Sequence, residues 1–247
     1  MTRKAIMIGS PGPKNTKQYL KGVDTDLHHF VGFLKSPIGG SWEDNEIAEL
    51  FNCPSENLID LCQSTNSDFL LVYFSGHGHH ELKDTNIAIN DSESLSVSQL
   101  ISMIKAPKAL IIIDTCRRES DEKYSSISGP QYLSFKSTLN QPNSSEKYMQ
   151  IISESTNGIS IAYACSVGEI SNDKELGGDY TYSLLKTSLE WYDNQNNQSV
   201  LSINGANDLA NKYLKFKSNF DQNPKIVTLN NREVNMNFPF AIKLNSL

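Results

Sequence analysis

A cysteine and a histidine hold the most suggestive chemistry in this sequence. Cys116 follows the apolar run 109–113 within the segment KALIIIDTCRR, and His77 lies between two glycines in SGHGHH, directly after a second run, DFLLVYF. A thiolate attacks carbonyl carbon readily once a base holds its proton, and an imidazole can take that proton and later return one to a leaving group. Backbone N–H groups beside the pair would stabilise an oxyanion. The N–H groups of Gly78 and Cys116 are the candidates, because glycine lets the chain approach closely. A cysteine at a strand end is also, by itself, a small residue that packs well in a core. His77 at the end of the neighbouring run makes Cys116 a candidate nucleophile.

The elements that must position these two residues follow from the runs themselves. Both runs have the unbroken apolar character of strands covered on two faces of a parallel sheet, and ligands collect outside the carboxyl ends of such strands. If the two strands are neighbours, His77 and Cys116 share one sheet edge. Upstream, residues 4–9 read as a first strand ended by Ser-Pro-Gly-Pro. Leu20, Val23, Leu27, Phe30, Val31 and Leu34 recur at helical spacing until Pro37 and Gly39-Gly40. Helices are expected over 44–51, from Pro54 onward and over 95–105, with a small strand over 86–90. Residues 117–157 form a polar connection of a length that is uncommon unless functional or mobile, with a helix over 146–155. A strand over 159–164 ends at Cys165. Helices are expected around Tyr182, Leu185, Leu189 and Tyr192 and over 209–216, and late edge strands over 226–229 and 238–244, where Pro239 suits an edge. The alternation implies one domain over 1–247, a three-layer α/β/α sandwich with a mostly parallel central sheet.

Composition narrows the function classes. The chain has 247 residues, a formal net charge of −6 and only two adjacent basic pairs, Arg3-Lys4 and Arg117-Arg118, which argues against nucleic-acid binding. Four cysteines without a CxxC pair make neither a disulfide framework nor a zinc site, and no apolar stretch suits a membrane span or a signal peptide. A cytoplasmic location is expected. His77, His79 and His80 form an HxHH string like a fragment of a metallohydrolase site, but the distant ligands are missing, since the other histidines, His28 and His29, sit in the first helix and are expected on its surface. Cys165, Trp42 and Trp191 read as packing residues.

YFSGHG and DTCR on successive strands, with LHHFVGFL upstream and GGDYTYSLL downstream, resemble the caspase-like cysteine peptidases, in their bacterial, metacaspase-like branch. The resemblance spans nearly the whole chain and implies a caspase-like fold and a Cys116–His77 dyad. It implies a substrate pocket of Asp26, Ser75 and Asp114, whose carboxylates suit cleavage after Arg or Lys. It also implies a protein substrate, an activating partner encoded elsewhere, a role in bacterial defence or cell death, and self-processing near Arg117, Arg118, Lys123, Lys136 or Lys147. No cofactor is expected. Calcium dependence stays open, because the family's carboxylates cannot be assigned, Asp91, Asp121 and Glu122 being only loosely placed. Arg117-Arg118-Glu119 departs from the family's common His-Ser-Gly after the nucleophile. A catalytically silent scaffold is the alternative.

Overall fold

The computed structural model describes residues 1–118, 133, 143–174, 177–194, 198–217, 222–229 and 238–244. Strand β1 (Arg3–Ser10) shows how the sheet is built. Its Ala5 and Met7 join one hydrophobic core and its Ile6 and Ile8 the other, as the two-residue period of a strand requires. The same sorting holds along β3 (Phe69–Gly76), with Leu71 and Tyr73 on one side and Val72 and Phe74 on the other, and along β7 (Lys108–Asp114), with Leu110 and Ile112 opposite Ile111 and Ile113. Every residue of β3 and of β7 is buried.

These strands occupy the middle of a six-stranded sheet. Its order is β12 (Lys225–Leu229), β8 (Gly158–Tyr163), β7, β3, β1, β2 (Ile47–Phe51), and only β12 runs antiparallel to its neighbour. Four helices cover the first core: α1 (Gly22–Lys35), α4 (Ser145–Glu154), α5 (Asp179–Asp193) and α6 (Ile203–Lys217). Two cover the other, α2 (Ser55–Ser64) and α3 (Val97–Met103). The expected three layers and mostly parallel sheet are present. Trp42 and Trp191 are buried in the first core, Phe30 stacks on Tyr73 with ring centroids 4.3 Å apart, and Cys165 is fully buried.

Three local expectations fail. Residues 44–51 are not a helix but a single 3-10 turn, Asp44–Glu46, leading into the edge strand β2. Eight residues make a marginal helix, whereas pairing from Ala5↔Ile47 to Gly9↔Phe51 gives residues 47–51 backbone partners along β1. The chain near Pro239 does not edge the main sheet. Strand β13 (Pro239–Ile242) is buried and pairs with β11 (Val200–Ser202), in a separate two-stranded sheet. His28 is exposed as expected, but His29 faces inward at 3% exposure, and burial lowers its pKa. A small sheet of β4 (Gly78–Glu81), β5 (Asp84–Ala88) and β6 (Ser94–Ser96) grows directly out of the end of β3, and β9 (Asp173–Lys174) pairs antiparallel with β10 (Gly177–Gly178) just before α5.

Candidate active site

The chain goes one way from β1 to β2 and the other way from β3 to β7, so the carboxyl ends of β1 and β3 mark the point where an open sheet offers a crevice. The last rung between β3 and β7 joins Ser75 to Asp114. Beyond it both segments leave the sheet together, tied by the Thr115 hydroxyl, which donates to the Gly76 carbonyl at 2.8 Å. His77 and Cys116 therefore emerge side by side, both partly exposed.

His77 is held on three sides. Its N–H donates to the Ser10 carbonyl at 3.3 Å and its carbonyl accepts from the Ala88 N–H at 3.0 Å. Its ring nitrogen Nε2 lies 2.6 Å from the Gln18 carbonyl oxygen. A carbonyl can only accept, so Nε2 carries the proton and Nδ1 is the basic nitrogen of the neutral ring. The ring packs on Gly12, which has φ +85° and whose added Cβ would meet ring atoms at 2.9 Å.

The Cys116 thiol approaches the Ser171 carbonyl at 3.5 Å. The residue after it is fixed firmly. Arg117 is buried, its Nε donating to Thr85 Oγ1 at 3.0 Å, its Nη1 to the Cys165 carbonyl at 3.2 Å, and its guanidinium lying 3.9 Å over the Tyr163 ring. Its N–H donates to the Glu169 carbonyl and its carbonyl accepts from the Gly168 N–H, at 3.0 and 2.8 Å. At the first position after the nucleophile the departure from the family's common His-Ser-Gly thus places a buried arginine that anchors the turn. Gly78 does not line the cleft. It packs against Thr115, whose Oγ1 would lie 2.5 Å from a Cβ at that position.

Asp26, Ser75, His77, Asp114 and Cys116 line one cleft, with about 320 Å³ of empty space including its open mouth. Leu20 and Val23 give it an apolar wall, and Gly76, Thr115, Ser171, Asn172, Asp173 and Gly178 complete the lining. Asp26 Oδ2 accepts from Ser75 Oγ at 2.8 Å and its Oδ1 from the Gly178 N–H at 2.9 Å. Asp114 Oδ1 accepts from Ser171 Oγ at 2.5 Å, while its Oδ2 takes the Thr181 N–H at 3.0 Å and the Thr181 hydroxyl at 2.7 Å. Asp173 Oδ2 reaches the Gly22 N–H at 3.4 Å. The N-terminal ends of α1 and α5 thus converge on the three acids, and their positive dipole ends offset part of the cost of gathering negative charge.

The offset is incomplete. Burial, then the charge of Asp114, holds the Asp26 carboxyl well above its ordinary range. Burial also raises Asp114, against the hydrogen bonds from Ser171 and Thr181. Asp173 is pushed up to about 7, by burial first and then by Asp114 and Asp179, against the Gly22 N–H. Asp173, Ser171 and Gln18 were missed by sequence reasoning. Ser171 lies in irregular loop, Asp173 in a strand of two residues that is too short to show a period, and Gln18 contributes only a carbonyl, so no periodicity or motif marked them. Among the described residues no group of three or more His, Cys, Asp or Glu could hold a metal ion, and no helix is long and apolar enough to cross a membrane. Asp91 lies in an exposed turn, and Asp121 and Glu122 fall outside the described residues.

The family model of the caspase domain matches residues 2–235. No curated protein matches the chain. Among solved structures, caspase-1 of Spodoptera frugiperda is similar with a TM-score of 0.58 at 17% identity, over 92% of this chain and 88% of that one. A protein of Geobacter sulfurreducens is similar with a TM-score of 0.63 at 14% identity, over 94% of this chain and 95% of that one. At these identities the two structures speak for the fold alone.

Proposed function

Since this chain belongs to the caspase-domain family of peptidases, we propose that it is a cysteine endopeptidase that cleaves protein substrates after Arg or Lys. The observation that carries this reading is that Cys116 and His77 open onto the same cleft as Asp26, Ser75 and Asp114. Leu20 and Val23 suit the aliphatic stem of a long basic side chain, and the acids suit its cationic head.

With such a residue seated, its carbonyl carbon is presented to Cys116. His77 takes the thiol proton as sulfur bonds to that carbon, and the carbonyl oxygen becomes an oxyanion facing the N–H of Cys116, which lines the cleft where Gly78 does not. Collapse breaks the C–N bond, His77 gives its proton to the departing amine, and a thioester remains. Water, deprotonated by His77, attacks the thioester, and the thiol takes the proton back as the acid product leaves. The Gln18 carbonyl fixes the tautomer that this cycle needs, and the anchoring of Arg117 holds the turn that carries the Cys116 N–H.

Self-processing belongs to the same reading, with narrower candidates. Arg117 is buried, Lys147 donates its Nζ to the Lys243 carbonyl within the fold, and Lys123 and Lys136 fall outside the described residues, which leaves Arg118 as the exposed described one. Activation by a partner and service in a defence or cell-death system follow from the family resemblance. Fluorogenic Arg, Lys and Asp peptides, with calcium or chelator, test the central claim. Cleavage after Arg or Lys that disappears in Cys116→Ala is expected. Cleavage after Asp overturns the pocket, activity retained in Cys116→Ala overturns the nucleophile, and an inert wild type that still binds a partner supports the scaffold alternative.

A further inference from the structure

The three acids in the cleft are unequally buried. Asp26 is 1% exposed and Asp114 5%, and both oxygens of each already accept hydrogen bonds from Ser75, Gly178, Ser171 or Thr181. Asp173 is less buried, and its carboxylate is met by backbone N–H groups, that of Gly22 at a long 3.4 Å and that of Lys174. The adjacent ammonium of Lys174 is engaged elsewhere, 2.6 Å from Asp179 Oδ1. Asp173 also comes close to the chain opposite, since a Cβ on Gly22 would lie 2.2 Å from its Oδ1. Leu20 and Val23 line the same cleft and form the apolar wall beside which a basic side chain would extend.

Resting on the endopeptidase reading above, we propose that Asp173 is a further specificity-determining residue, the carboxylate that meets the cationic head of the substrate directly. Asp26 and Asp114 then act mainly by shaping the walls and by their field, because their oxygens hold the ends of α1 and α5 in place. The short strand β9 becomes part of substrate recognition, and the cleft reads charge with the least buried of its three carboxylates.

The test compares alkylation of Cys116 by an arginyl and a norleucyl peptide chloromethyl ketone of the same sequence, in which the thiolate displaces chloride to form a thioether detected by mass. In Asp173→Asn the ratio of arginyl to norleucyl rate is expected to fall at least about tenfold, as for loss of one partner of a poorly solvated charge pair, with Asp173→Glu closer to wild type. With arginyl peptide substrates the loss should appear chiefly in KM. Thermal melts of Asp173→Asn and Asp173→Ser identify any variant that has lost its fold, and the surviving one decides. A ratio unchanged in the folded variant, or a fall in kcat at constant KM, overturns the inference while leaving the endopeptidase reading intact. Equal rates for both reagents on wild type overturn the basic specificity itself, and no labelling of wild-type Cys116 by either overturns the nucleophile and this inference with it.

Discussion

A methyl group on Gly12 would sit 2.9 Å from Cδ2 and Nε2 of His77, and one on Gly178 would sit 2.7 Å from Asp114 Oδ2. Both distances are shorter than real Cβ contacts, so something must move, but different machinery moves in each case. At Gly12 the imidazole is displaced from the Gln18 carbonyl, which loosens the proton carrier and leaves the acids alone. Gly12→Ala should lower kcat about tenfold with little change in KM, and its φ of +85° adds a stability cost of about 1 kcal/mol. At Gly178 the clash pushes on Asp114 and Asp26, whose Oδ2 lies 3.2 Å from the same Cβ position. Gly178→Ala should raise KM for arginyl peptides with a smaller effect on kcat. Steady-state kinetics on the two variants separates them, and identical kcat and KM changes would show that orientation and recognition are not divided as drawn.

Helix α5 reaches the site through a borrowed cap. Gly178 has no side chain to cap it, so the N–H of Thr181 in its first turn is satisfied by Asp114 from the end of β7. Asp114→Ala would strand that N–H and remove the acceptor of the Ser171 and Thr181 hydroxyls, so urea denaturation should show a loss of about 3 kcal/mol. Asp114→Asn, which keeps an acceptor oxygen, should lose less. A near-zero cost for the alanine variant would mean that α5 is held by its packing against α6 and not by this contact. The elements that carry His77 and Cys116 were legible in the sequence because buried parallel strands leave unbroken apolar runs, and DFLLVYF and ALIII have no competing period. Residues 44–51 were not, since Ile47, Leu50 and Phe51 suit a helical face as well as a strand, and the ladder to β1 decided between them. Asp173 was illegible for a similar reason. Its place is set by a contact 151 positions away, to Gly22, and nothing local in the sequence SNDKEL announces it.

The three acids also make the whole molecule sensitive to pH. An unfolded chain titrates each near 3.8, whereas in the fold Asp26 lies well above that, Asp114 is raised and Asp173 stands at about 7. Between those limits the folded protein binds more protons than the unfolded one, so the stability these groups contribute is complete at low pH and is lost as pH rises toward 7. For Asp173 the effect is on the order of 2 kcal/mol after allowance for solvent screening. His29 works in the opposite sense, because its lowered pKa makes the unfolded chain the better proton acceptor near 6.5. Asp68, Asp84 and Glu93, all lowered, weaken the fold only toward the acid end of the range, as they become protonated. With three raised acids against one histidine, the thermal midpoint should be higher at about pH 5.5 than at about pH 8, and Asp173→Asn should narrow that difference. A seated cation reverses the balance, since it favours the ionised carboxylates that the empty cleft disfavours. An arginyl peptide bound to Cys116→Ala should therefore raise the midpoint more at about pH 8 than at about pH 5.5, measured by differential scanning calorimetry. The reverse order would mean that the peptide's charge does not meet these carboxylates.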